Sequence, residues 1–209
     1  MYAYAKDPDI GPIAGWPAHR SKEESLNTIR HVLNGKECYA IGCTVNMFDI
    51  DVEGGQYYSE SSVITAGDEV CVVKTEFGPI GVAICYDVRF PELFRLLAKR
   101  GAKAVVMPAS FNRTTGPAHW ELLMRARALD QEMYVLGCAA AGDLAGSYNG
   151  WGHSIAVDPW GSIMEELGEG PGMLMAAVDF AKEDAVRSQI PVLQQLRTDI
   201  YEVCEKTVG

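Results

Sequence analysis

Residues 80–92 read Ile-Gly-Val-Ala-Ile-Cys-Tyr-Asp-Val-Arg-Phe-Pro-Glu. The run from Ile80 to Ile84 is apolar and partly β-branched, which suits a strand buried on both faces, and Pro91 suits the first turn of a helix. Cys85 therefore stands where a strand ends and a helix is about to begin. Free backbone N–H groups and the positive end of a helix dipole favour a thiolate there, and also the oxyanion that its attack on a carbonyl would create. A cysteine in an apolar strand is otherwise a small core residue, and the local pattern leaves both readings open. Of the six cysteines Cys85 is expected to be the most reactive, because it alone combines a strand end, adjacent donors and a pocket.

Working outward, the pattern after Cys85 alternates: helix 92–100 ended by Gly101, strand 104–108, helix 118–131, strand 133–140. Such alternation predicts neighbouring strands joined by helical crossovers. Segments 154–158, 163–167 and 173–179 read as a strand meander, and 181–189 and 192–207 as helices broken by Pro191. Before Cys85, residues 1–20 carry Pro8, Pro12 and Pro17 and predict an irregular arm. Ser21 and Glu24 form a capping-box pattern for a helix over 21–33, and 38–44 reads as a buried strand. Residues 48–61 predict an irregular loop, with strands at 62–65 and 70–75 after it.

At 209 residues, 48% hydrophobic and 22% charged, the chain has the composition of a globular protein, and one domain over 1–209 is expected. A net charge of −10 argues against sequence-independent binding to nucleic acid or an anionic membrane. No apolar run approaches the length of a membrane span, and the first residues lack the pattern of a secretory signal, so a cytoplasmic location is expected. The cysteines show no Cys-x-x-Cys pair and the four histidines no i, i+4 pairing, so reduced thiols, no metal and no cofactor are expected.

Four stretches together resemble the nitrilase superfamily of carbon–nitrogen hydrolases, most closely its omega-amidase branch. They are Phe48-Asp-Ile-Asp-Val-Glu-Gly-Gly-Gln-Tyr-Tyr-Ser-Glu-Ser-Ser, Gly81-Val-Ala-Ile-Cys-Tyr-Asp-Val-Arg-Phe-Pro-Glu-Leu, Phe111-Asn-Arg-Thr-Thr-Gly-Pro-Ala-His-Trp-Glu and Arg125-Ala-Arg-Ala. The likeness runs on through Gly152-His-Ser and Pro159-Trp-Gly, spanning 47–203 in all. It implies an α/β fold of the nitrilase type, an α-β-β-α sandwich, here incomplete at its N-terminal side. It also implies hydrolysis of the amide of a small dicarboxylate monoamide, through a cysteine thioester, to acid and ammonia. By match to the motifs Cys85 is the nucleophile and Glu121 a second catalytic carboxylate, while Tyr86, Phe111, Asn112, Thr115 and Trp120 are substrate-binding candidates. The backbone N–H of Tyr86 is a candidate oxyanion donor. The family's habit of pairing implies a homodimer or higher oligomer.

Two features depart from the family pattern. No glutamate before Cys85 ends an apolar strand as Pro-Glu, the setting of the family's general base, and Thr44 stands at the position of its catalytic lysine. A base contributes typically 10²–10⁴-fold and an oxyanion donor about 10²–10³-fold, so turnover is expected to be reduced. The alternative is a non-catalytic binding or subunit protein. A thiol hydrolase using His119 or His153 as base is a third reading, with no motif behind it.

Overall fold

The computed structural model describes residues 44–51, 57–62, 65–142 and 149–206. The expected arm 1–20, helix 21–33 and all but the last residue of strand 38–44 lie outside the described residues. The chain forms a small antiparallel hairpin, β1 (Asp49–Asp51) with β2 (Tyr57–Ser59), and a six-stranded mixed sheet of order β3 to β8. Its strands are β3 (Cys71–Thr75), β4 (Gly78–Val82), β5 (Ala104–Ala109), β6 (Tyr134–Ala139), β7 (Ile155–Val157) and β8 (Ile163–Glu166).

β4, β5 and β6 run parallel, with Gly81 opposite Val105 and Val105 opposite Val135, and the remaining neighbours are antiparallel. The parallel centre follows from the two helices that connect it: α1 (Pro91–Lys99) between β4 and β5, and α2 (Thr115–Gln131) between β5 and β6. Helical crossovers are what parallel neighbours require. Pro91 opens α1 at its first position, where a missing N–H costs nothing. Its face of Leu93, Phe94 and Leu97 is buried against the sheet.

α2 lies close to β6 because Gly137 has no side chain. A Cβ there would stand 2.5 Å from Met124 Cε and 2.9 Å from Trp120 Cζ2. Trp120, Met124 and Ala128 are thereby fully buried together with Val105, Met107 and Val135. A side chain the size of Trp120 contributes roughly 3–5 kcal/mol in such a place.

Three expectations are corrected. Residues 48–61 are not wholly irregular, since the β1–β2 hairpin forms there, and Glu60–Ser62 is a short 3-10 turn where the start of a strand was expected. Residues 173–179 belong to no strand: Met173 and Met175 point into solvent with no ladder partner among the described residues, and alternation alone cannot make a strand without one. Residues 192–206 are turns rather than a helix. The turns are drawn back over α1 by ion pairs from Lys99 to Glu202 (2.7 Å) and Arg100 to Glu205 (2.6 Å).

α3 (Phe180–Gln189), capped by the Asp179 side chain on Ala181 N–H, crosses the starts of the parallel strands. There Phe180 packs on Gly78 and Tyr134, and Arg187 donates to the carbonyls of Ala102 and Gln131. No helix among the described residues is long and apolar enough to cross a membrane.

Candidate active site

The carboxyl ends of β4 and β5 meet at Cys85 and Ser110. Open α/β sheets gather functional groups at this end, where loops leave the strands and helices begin. β4 leads into a 3-10 helix, Cys85–Arg89, and Cys85 itself has φ +48°. Left-handed backbone on a residue other than glycine costs of order 1–3 kcal/mol and persists only where the surroundings impose it. Here they do. The buried Asp87 carboxylate accepts from Ile84 N–H (3.0 Å), Asn46 N–H (2.8 Å), Asn46 Nδ2 (2.9 Å) and Val45 N–H (3.1 Å). Asp87 thus ties the approach segment, residues 44–46, to the turn that presents the cysteine.

Cys85 is half-buried, and its Sγ lies 3.9 Å from the Ser110 carbonyl oxygen. Burial pushes its thiol pKa up; the Ser110 contact works against this, the negative charges of Glu60 and Asp87 raise it further, and the Arg89 cation lowers it. The free thiol therefore keeps its proton, and chemistry at this sulfur needs a base.

Glu60 sits in a position to matter. Its Oε2 accepts from Phe48 N–H (2.8 Å), and the Phe48 ring meets Tyr86 edge-on at 5.0 Å. The aromatic contacts continue to Tyr58 on one side and Phe90 on the other. Arg89 lies across the site. Its guanidinium carbon is 5.6 Å from the centre of the Tyr86 ring and 5.5 Å from that of Phe111, and Nη1 is 3.3 Å from His119 Nδ1.

The sequence candidates divide. Cys85 and Tyr86 stand together at the strand end, and Phe111, buried, joins them through Arg89. Glu121 does not join them. Its side chain is 49% exposed and paired with Arg125 (3.0 Å) one helical turn away, and it is not among the charges acting on Cys85. Periodicity explains this: α2 buries Trp120 and Met124 against β6, which turns position 121 outward.

Trp120 lies beneath the site. It is fully buried against Phe111, and its Nε1 is used on the His153 carbonyl, so it shapes the floor rather than lining a pocket. The Asn112 Oδ1 accepts from Thr114 N–H, Thr115 N–H and the Thr115 hydroxyl (3.0, 2.8 and 3.0 Å), which makes both residues a cap for α2. Thr44 is buried, its hydroxyl directed at the Ile84 and Asn46 carbonyls, and it brings no positive charge.

Sequence reasoning placed neither Arg89 nor Glu60 among the site candidates. The Cys85–Arg89 spacing, one turn apart, was the available signal for the first. Nothing short of the hairpin's fold-back could bring Glu60, 25 positions before Cys85, to the second. His153 stacks on Trp151 and faces Glu166 (3.1 Å). Among the described residues no group of acidic, histidine and cysteine side chains could hold a metal ion.

The carbon-nitrogen hydrolase family profile matches residues 36–188, and the chain belongs to that family. A hydrolase of Schizosaccharomyces pombe is 39% identical over 96% of this chain and 62% of its own length. The omega-amidase NIT2 of Xenopus tropicalis is 45% identical over 78% of this chain and 59% of its own. The chain thus spans roughly three fifths of the length of these relatives. The fold is that of the nitrilase superfamily: the crystal structure of Saccharomyces cerevisiae Nit3 superposes with a TM-score of 0.66 at 41% identity, over 74% of this chain and 53% of that one. A mutant of the amidase from Nesterenkonia sp. AN1, with a TM-score of 0.57 at 26% identity over 75% of this chain and 53% of its own, shows covalent addition of the acetamide moiety of fluoroacetamide at its active site cysteine.

Proposed function

We propose that this protein is an amidase of the omega-amidase kind, cleaving the amide of a small dicarboxylate monoamide through a thioester on Cys85. The observation that carries this is the strained, positive-φ Cys85 at the end of β4, close enough to Glu60 and Arg89 for both charges to act on its thiol. Membership of the carbon-nitrogen hydrolase family and the covalent adduct on the amidase cysteine support the same reading.

In this mechanism Glu60 takes the thiol proton as Sγ bonds to the amide carbon and the C=O electron pair moves onto oxygen. The N–H groups that open the 3-10 helix, that of Tyr86 first, receive that oxyanion. Collapse re-forms the carbonyl and breaks the C–N bond, with the nitrogen leaving as ammonia on the proton Glu60 returns. Water then adds to the thioester, giving its proton to Glu60. Expulsion of the sulfur, which regains that proton, releases the acid.

With Thr44 where the family has lysine, that position brings no cation to the oxyanion, and turnover is correspondingly low. Restoring charge by Thr44→Lys alone would place an ammonium in a buried site already committed to the Ile84 carbonyl, and it rescues little.

Ammonia release from a panel of omega-amides tests the proposal. The unmodified protein is expected to turn over slowly, Cys85→Ala to abolish release, and Glu60→Gln to lower it by roughly 10²-fold or more. Release that survives Cys85→Ala would sink it. No release from any amide, with binding of amides retained, would favour the second reading, a non-catalytic binding protein, for which the buried Thr44 is the supporting observation. Exposed Leu122, Leu129, Trp160 and Tyr201 support self-association in either case.

A further inference from the structure

A cleft of about 710 Å³ opens beside the C-terminal end of α2, between α1, the turn after β7 and the residues that follow α3. Its volume is that of a site for a small organic ligand. None of its lining residues belongs to the site at Cys85. Leu129, Trp160, Val186, Ile190, Leu196 and Tyr201 give it apolar walls, whereas its floor carries Arg95, Gln131 and Glu132.

Three buried atoms at this floor have no hydrogen-bond partner among the described residues: Arg95 Nη1, Gln131 Oε1 and Glu132 Oε2. They are drawn to one place. Gln131 and Glu132 are consecutive at the end of α2, and Arg95 Nη2 donates to the Asp130 carbonyl beside them (3.4 Å). Gln131 is 2% exposed and Glu132 3%, so bulk water does not satisfy them. Buried polar groups of folded proteins are nearly always paired, and three orphans around one cleft mark the seat of a polar head. Glu132 is also held in left-handed backbone, φ +51°, at a helix end where glycine is usual. Burial lifts its carboxyl pKa even though Arg187 and Arg95 pull it down.

The orphans are two acceptors and one donor. A primary amide has the matching pattern, two N–H donors on its nitrogen and one carbonyl acceptor. An ammonium would leave Arg95 unmet and be repelled by it, and a carboxylate has no donor for either oxygen and is repelled by Glu132. We propose that this cleft binds an uncharged primary amide carried on an apolar body. Its N–H groups donate to Gln131 Oε1 and Glu132 Oε2, its carbonyl accepts from Arg95 Nη1, and the body lies against Leu129 and Trp160. The ligand is held there without being cleaved, so the inference does not rest on hydrolysis at Cys85.

Hydrocinnamamide is the probe, titrated into the Cys85→Ala protein to exclude turnover. Binding is followed by the indole N–H resonance of Trp160 in nitrogen-15 NMR, assigned with Trp160→Phe. The N,N-dimethyl amide, hydrocinnamate and phenylpropylamine present the same body with the wrong head. The primary amide is expected to shift the Trp160 signal and to bind at least tenfold more tightly than each of the three. Gln131→Leu is expected to weaken it roughly tenfold, a change to which occupation of the Cys85 site would be indifferent. Equal binding of the primary and dimethyl amides, or no Trp160 shift up to the solubility limit, would overturn the inference. Both results stand even if Gln131→Leu fails to fold, because they need no change at Gln131. Tighter binding of the amine would overturn it in favour of a cation site. A Trp160 signal that moves with protein concentration and not with the amide would assign the cleft to a second copy of the chain, and overturn it equally.

Discussion

Cys85 shows how a single residue can be placed for reaction and yet held inert. Its left-handed backbone presents Sγ at the strand end, while burial raises its pKa and keeps the proton on sulfur until a base is engaged. That burial works against the sequence expectation that Cys85 is the most reactive thiol, while Cys138 and Cys204 are exposed. At pH 7.5, limiting iodoacetamide is expected to label Cys204 and Cys138 ahead of Cys85. The sign follows from the raised pKa: the labelling rate of Cys85 keeps climbing above pH 9, the ordinary value for a thiol here, where an unperturbed cysteine levels off. Peptide mass spectrometry across pH reads this directly, and Cys85 labelling first at pH 7.5 would contradict it.

At the scale of elements, the site is a by-product of how α2 starts. Asn112 Oδ1 gathers the Thr114 and Thr115 N–H groups and the Thr115 hydroxyl, which fixes the helix start and leaves Phe111 pressed on Trp120 and under Arg89. Asn112→Ala is expected to cost about 1 kcal/mol, the usual worth of a helix-start cap, or a fall of roughly 2–4 °C in Tm. Asn112→Asp, which keeps the acceptor, should recover most of that. Thermal melting followed by circular dichroism distinguishes this from direct substrate contact, which predicts a raised KM with an unchanged Tm.

The stability of the whole molecule carries the imprint of one buried acid. Glu183 on α3 is fully buried, and desolvation lifts its pKa to about 7 against the pull of Arg187 and Lys103. Arg187 approaches to 2.6 Å, yet both carboxyl oxygens are left without a well-formed hydrogen bond, so desolvation wins. The folded state holds this proton more tightly than the unfolded chain does. The contribution is therefore fully present below about pH 4.5 and is lost as pH rises through about 7, a change on the order of 3 kcal/mol. Urea unfolding at pH 4.5, 6 and 8 should show this decline in the natural protein and a flatter profile in Glu183→Gln. Parallel profiles would show that Glu183 is not its source.

Local order was legible in the residues. The run before Cys85 set β4, Pro91 set the start of α1, and the β-α alternation set three parallel strands, because each depends on near neighbours alone. The likeness to the carbon–nitrogen hydrolases likewise sits in continuous motifs, and with it the candidate nucleophile. What the tertiary structure decided was which charges meet the sulfur. Glu121, adjacent to a motif tryptophan, faces outward because its helix must bury Trp120 against Gly137. The Glu60 charge acts on Cys85 because a hairpin folds back and the Phe48 N–H holds its carboxylate. Arg89 is set at the site only when Phe111, 22 positions later, is brought against it. Hydrophobic periodicity and turn residues act over a few positions, whereas the field at a buried thiol sums charges brought together by the whole fold.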